Sequence, residues 1–175
     1  MIRDYIEKDF IRSSKSKDVK RISTIYRTGN YVYYNEMNKT LKKIIFKILN
    51  FLNNHFIKIK YGIEIPFQTK IGAGLRLVHL NGIIISPHAI IGDNCTIFQQ
   101  VTIGANEHSL NFRKAPKIGD NVYIGAGAKI IGDIQVGSNV KIGANAVVTK
   151  NVPDNYTVLG CNELLLSNSQ RKEII

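Results

Sequence analysis

The sequence predicts an all-β core, a parallel β-helix of six-residue repeats, preceded by a short α-helical segment. Three observations carry this. Aliphatic residues recur every six positions over about ninety residues, and in most repeats a small or apolar residue follows four positions later. Residues 1–60 lack that period and instead place apolar residues at three- and four-residue spacing.

The N-terminal segment comes first. Leu41, Ile44, Ile45, Ile48, Leu49, Leu52 and Phe56 alternate with Lys42, Lys43, Lys47, Asn50 and Asn53, the pattern of an amphipathic helix. The first coil of a β-helix exposes unpaired strand edges, so a helical cap there also has a structural purpose. The expected packing of Leu41 to Ile59 is against the end of the prism or another subunit.

The coil occupies 61–161. Its aliphatic positions are Ile65, Ile71, Leu77, Ile85, Ile91, Ile97, Ile103, Ile118, Ile124, Ile130, Val136, Ile142 and Val148. Thr69, Ala89, Cys95, Val101, Val122, Ala128, Val140 and Ala146 take the second inward position. Two inward residues in six describe one short strand and one corner. Three such units close a triangular coil, and coils stack at the spacing of neighbouring strands, about 4.8 Å. Glycines after the aliphatic residue, such as Gly92, Gly119 and Gly125, fit a corner that a Cβ would obstruct. A sandwich of short strands would alternate with period two and would not hold this register. The register breaks twice: two residues are inserted at Ile83 and Ile84, and Ala105 to Lys117 reads as a loop leaving the coil. Residues 162–175 form a C-terminal tail, with Ser167 to Ile175 expected to be loose.

Composition narrows the class. A chain of 175 residues with 44% hydrophobic content suits one globular domain. The net charge of +11 is concentrated at the N-terminus, with 14 Lys/Arg against 5 Asp/Glu in residues 1–60 and 10 against 8 afterwards. Cys95 and Cys161 make neither a CxxC pair nor a disulfide framework, which fits a reducing compartment and argues against structural zinc. Asp4, Glu7 and Asp9 argue against a signal peptide, and no apolar run approaches the ~20 residues of a membrane span. A cytoplasmic location is expected.

Four runs then occur in order: Leu77-Val78-His79-Leu80-Asn81-Gly82-Ile83, Phe98-Gln99-Gln100-Val101-Thr102-Ile103-Gly104, Pro116-Lys117-Ile118-Gly119 and Ile124-Gly125-Ala126-Gly127-Ala128-Lys129-Ile130-Ile131-Gly132. With the six-residue array, they resemble the left-handed β-helix acyltransferases and, within them, the serine acetyltransferase branch, over residues 62–161. The resemblance implies the coil's left hand, which the repeat does not fix. It also implies acetyl-CoA as donor, no metal, and a homotrimer with sites between subunits, with a further pairing of trimers left open. Cyclic symmetry suits a three-faced prism.

An alcohol needs a base to attack a thioester at neutral pH, and histidine titrates in the right range. The resemblance puts His79 in that role, with an ordinary surface histidine as the alternative. A carboxylate that holds the other ring nitrogen fixes the tautomer. Glu64, fifteen residues earlier, lies within reach of a neighbouring coil, and the family's supporting carboxylate falls there, usually as aspartate. For the donor, corner amides near Ala126 and Ala144 suit the pantetheine arm. Lys141 and Lys150 suit the nucleotide phosphates, or are solvated corner residues. A backbone N–H at Gly104 suits an oxyanion. Gln99 and Gln100 suit the acceptor, or ladder between coils. His108, Arg113 and Lys114 suit closure over a substrate, or face solvent; Lys114 is carried as an acceptor contact. Cys95 fills an inward position, and His55 and His88 carry no motif.

Two positions depart from the serine branch. Its aspartate before the histidine is Val78 here, and its histidine before Pro-Lys-Ile is Ala115. With the shorter N-terminal region, these look more like enzymes that acetylate sugar hydroxyls of surface polysaccharides, so a sugar acceptor is the leading expectation and L-serine the alternative. A non-catalytic reading makes the basic helix a peripheral membrane-binding module on an inert coil. Nucleic acid is not expected, because no reading helix, finger or aromatic-basic platform is present.

Overall fold

The computed structural model describes residues 2–106 and 114–166. Three helices open the chain: α1 (Ile2–Arg12), α2 (Lys17–Tyr34) and α3 (Lys39–Asn53). Ser16 caps α2 by accepting from Val19 N, and Asn38 caps α3 by accepting from Thr40 N and Leu41 N. A π-helical turn, Asn54–Lys58, and a last turn α4 (Ile59–Tyr61) end at Gly62, whose φ of 62° takes the left-handed stop that favours glycine.

Short strands then form three faces. The first holds β1 (Lys70–Ile71), β4 (Ile90–Ile91), β7 (Lys117–Ile118) and β10 (Gln135–Val136). The second holds β2 (Arg76–Leu77), β5 (Thr96–Ile97), β8 (Tyr123–Ile124) and β11 (Lys141–Ile142). The third holds β3 (Ile84–Ile85), β6 (Thr102–Gly104), β9 (Lys129–Ile131) and β12 (Val147–Val148). Successive strands change face, and every pairing between these coils is parallel, as Leu77 to Ile97, Ile97 to Ile124 and Ile124 to Ile142. Residues at both inward positions of the repeat are buried, from Ile65 and Thr69 to Val148.

The insertion lies elsewhere than expected. Ile83 is fully buried beside Val101 and Ile84 points outward, so those two keep the repeat. The extra residues belong to the preceding corner, where His79, Leu80, Asn81 and Gly82 bulge between β2 and β3. Asn81 O accepts from Gln100 N and Gly82 N donates to Tyr61 O, which fastens the bulge above and below.

At the corner glycines a Cβ would be obstructed, as expected, and the obstruction comes from the next coil. Gly92, Gly119 and Gly125 keep ordinary φ; a Cβ on Gly125 would stand 2.7 Å from Ala144 N of the next coil, so close stacking of coils excludes it. The left-handed turns between the first and second faces fall to Asn94, Asn121, Asn139 and Asn155. Their amides form a ladder, Asn121 to Asn139 at 3.3 Å and Asn139 to Asn155 at 3.1 Å.

The cap over the first coil is made by α1 and α2. Arg27 donates to Ile71 O and Gly72 O, Tyr26 to Thr69 O, Asn30 to Phe67 O and Thr69 O, and Arg12 to Gly74 O. These side chains satisfy edge carbonyls that have no lower coil to pair with. Helix α3 packs Phe46 on Phe67 and buries Leu49, the expected packing against the end of the prism, while Leu41, Ile44, Ile48 and Phe51 stay exposed within one subunit.

At the other end, β13 (Tyr156–Leu159) joins the second face and turns back through Gly160, Cys161 and Asn162 into β14 (Glu163–Leu166), paired antiparallel. The tail expected from 162 therefore begins as a strand. Residues 167–175 lie outside the described residues, as do His108 and Arg113. Among the described residues no helix is long and apolar enough to cross a membrane.

Candidate active site

The edge between the second and third faces is a column of corners. The chain crosses it after β2 at His79–Gly82, after β5 at Gln99–Gln100, after β8 at Ala126–Gly127 and after β11 at Ala144–Asn145. Five residues singled out in the sequence, His79, Gln99, Gln100, Ala126 and Ala144, thus share one edge. The column is tied by Gln100 N to Asn81 O, Gly127 N to Gln99 O and Asn145 N to Ala126 O.

His79 is exposed on the widest corner, with its ring edge-on to Phe98 at 6.1 Å, and Phe98 lies 5.1 Å from Tyr123. These two rings form an aromatic wall on the second face that sequence reasoning missed. The signal was present: the six-residue register places Phe98 and Tyr123 outward beside the strand that leads to His79.

Gln99 Oε1 is buried and has no hydrogen-bond partner. An acceptor held dry without a donor suits a ligand N–H or O–H. Gln100 takes φ of 60°, and its carbonyl accepts from Lys129 Nζ at 2.6 Å, which brings an unpredicted cation to the same edge. Among the described residues, the N–H groups of Ala126 and Ala144 donate to no backbone carbonyl, so both remain open to an incoming acceptor.

The other predicted residues are placed apart. Glu64 pairs its backbone with Ile84 at the foot of the third face, and its carboxylate meets Lys58 Nζ at 3.0 Å instead of His79. The reason is local: the bulge carries His79 out onto the corner, while the π-helical turn sets Lys58 beside Glu64. Glu64 and Gly104 line one open cavity of about 690 Å³ on the third face, with His88 and Ile131. Gly104 lies at the far end of that face from the His79 corner. Lys114 is held by Asp133 at 2.6 Å. Lys141 stands exposed on the second face, and Lys150 is exposed after β12, on the edge opposite the column. Among the described residues, no group of three or more His, Cys, Asp or Glu is placed to hold a metal ion. Cys95 is buried in the core of the coil, which pushes its thiol up to about 11.

Comparison with known proteins agrees with this architecture. Residues 115–150 match the bacterial transferase hexapeptide family (six repeats). The chain is 40% identical over 109 residues to serine acetyltransferase of Synechococcus elongatus, covering 62% of this chain and 44% of that one. To serine acetyltransferase of Staphylococcus aureus it is 36% identical over 167 residues, covering 91% of this chain and 74% of the relative. Its fold superposes on the Neisseria gonorrhoeae serine acetyltransferase in complex with serine with a TM-score of 0.72 at 30% identity, covering 91% of this chain and 66% of that one. It therefore spans less than half of the cyanobacterial relative and about two thirds of the gonococcal chain. These likenesses favour the serine branch and give the sugar-acetylating one no support. A coil of six-residue repeats, the His79 corner column and 36% identity across most of both chains place this protein in the serine acetyltransferase family.

Proposed function

We propose that the protein transfers the acetyl group of acetyl-CoA to the hydroxyl of L-serine. His79 takes the hydroxyl proton as the oxygen attacks the thioester carbonyl; the C–O bond forms, the C–S bond breaks, and the imidazolium returns its proton to the departing thiolate. The observation that carries this reading is the corner column, which aligns His79 with an unpartnered acceptor on Gln99 and two open amides at Ala126 and Ala144. Those amides take the pantetheine arm, Lys141 on the flanking second face meets the phosphates, and Lys150, on the far edge, reaches them only across a subunit contact.

Glu64 serves as the orienting carboxylate by exchanging Lys58 for His79. Its present ion pair is half exposed on both sides, and such pairs contribute about 0–1 kcal/mol, so the exchange costs little. Gly104 and His79 stand on different edges of one subunit. In a trimer, the assembly typical of the family, Gly104 of one subunit acts as oxyanion donor towards His79 of another.

The second reading, a sugar acceptor, is favoured by two positions. Val78 offers no carboxylate, and Ala115 is buried, so neither supplies the charged groups expected around an amino acid. Release of free CoA thiol from acetyl-CoA, measured with L-serine and with a panel of sugars and nucleotide sugars, separates them. A serine-dependent signal supports the main reading, and a signal with sugars alone transfers the acceptor. Silence with every acceptor, together with no acetyl-CoA binding, removes both.

A further inference from the structure

The N-terminal helices carry a surface that the catalytic reading does not use. On α3 and the turns after it, Leu41, Ile44, Ile48, Phe51 and Ile59 form one stripe, from 49% exposed at Leu41 to 75% at Ile59. The adjoining side of the same helix packs Ile45, Phe46, Leu49 and Leu52 against the molecule, so the exposed stripe is the outer margin of a wide apolar face that one subunit covers only in part. It continues into a groove of about 680 Å³ floored by Phe10, Ile25, Leu52 and Phe56 and rimmed by Lys20 and Arg21.

The charge around this stripe has one sign. Residues 39–63 contain Lys39, Lys42, Lys43, Lys47, Lys58 and Lys60 and no aspartate or glutamate. Lys58 and Lys60 are paired with Glu64 and Asp18, whereas among the described residues Lys43 and Lys47, which border the stripe, make no ion pair. A two-fold contact with a second copy through this face would set lysine against lysine, and like charges brought together at an interface oppose association. An apolar stripe flanked by lysines instead complements a surface that is negative outside and apolar just beneath.

We propose that α3 is a peripheral docking face for an anionic lipid bilayer, with Ile44, Ile48 and Phe51 entering the headgroup–acyl boundary and Lys43 and Lys47 meeting lipid phosphates. The proposal does not depend on which acceptor the enzyme uses.

Co-sedimentation of the full chain with phosphatidylcholine vesicles and with phosphatidylcholine–phosphatidylglycerol vesicles tests it. The expected result is binding to the anionic vesicles at low ionic strength, release by salt, and little binding to the neutral ones. Lys43→Gln and Lys47→Gln each weaken binding about five-fold. The double variant Ile48→Ser/Phe51→Ser abolishes it while leaving the circular dichroism spectrum and acetyl transfer unchanged, because both side chains are exposed. Absence of binding to anionic vesicles overturns the proposal, as does wild-type binding by the double variant. Concentration-dependent self-association that the double variant removes, without vesicle binding, also overturns it and assigns the face to a second copy of this chain.

Discussion

Replacing Asp9 with alanine strikes the joint between the helices and the coil. The Asp9 carboxylate is buried and accepts four hydrogen bonds: from Ser23 Oγ at 2.6 Å, Arg27 Nε at 3.0 Å, Arg27 Nη2 at 3.1 Å and Leu75 N at 2.8 Å. Asp9→Ala leaves the guanidinium of Arg27, itself 4% exposed, without a counter-charge in the interior. Breaking one partner of a buried pair costs about 3–5 kcal/mol, and the orphaned Leu75 N–H is part of that cost. In a chain of this size roughly 2–4 °C of melting temperature is lost per kcal/mol, so a fall of roughly 6–20 °C is expected at fixed protomer concentration. Thermal unfolding followed by circular dichroism measures it. The double variant Asp9→Ala/Arg27→Met removes both charges and regains much of the loss, since apolar replacement of a whole buried pair is often close to neutral. A loss below about 1 kcal/mol for Asp9→Ala, or a double variant no better than the single one, would refute the cluster as the anchor of the cap.

Three further outcomes follow from particular residues. Ile83→Ala is expected to cost about 2–5 kcal/mol in urea unfolding and Ile84→Ala under about 1 kcal/mol, because the first is fully buried and the second faces outward; equal losses would return the inserted residues to these two positions. At the corner residue Asn139, φ 59°, substitution by glycine is tolerated within about 1 kcal/mol, while Asn139→Val loses about 1–2 kcal/mol more, read as a shift in the unfolding midpoint. Titration with a disulfide reagent at neutral pH gives one fast thiol, the exposed Cys161, and a second only on unfolding; burial pushes the Cys95 thiol up to about 11, so its reactive thiolate is scarce until pH rises towards that value.

The coil was legible because a period of six recurs in aliphatic volume, and volume at a buried position is what packing constrains. The corner column followed from the same register once the faces were counted. The placement of the bulge did not, since Ile83 and Ile84 are chemically alike and only the pairing of Ile83 beside Val101 distinguishes inward from outward. The cap was hidden for a different reason. Asp9 accepts from the backbone N–H of Leu75, and Arg27 and Asn30 donate to the backbone carbonyls of Ile71 and Phe67, all far away in sequence, and no local pattern marks a side chain that serves distant main-chain groups. The return strand β14 did leave a trace: Gly160 and Asn162 both take positive φ in a short turn before Leu164, Leu165 and Leu166, a hairpin signal weakened by the absence of period-two alternation. Glu64 was placed near His79 from its spacing and from the family resemblance, neither of which registers the competing lysine that the π-helical turn delivers.

The decisive measurement is the turnover of acetyl-CoA and L-serine by the natural protein and by His79→Ala, with O-acetylated product quantified by mass spectrometry and acetyl-CoA binding measured in parallel. Loss of a general base lowers turnover by about 10²–10⁴-fold, and donor binding through the corner amides is retained. Product formation by His79→Ala within ten-fold of the natural protein, ten-fold being about 1.4 kcal/mol of barrier, would contradict the role of this corner as the catalytic centre.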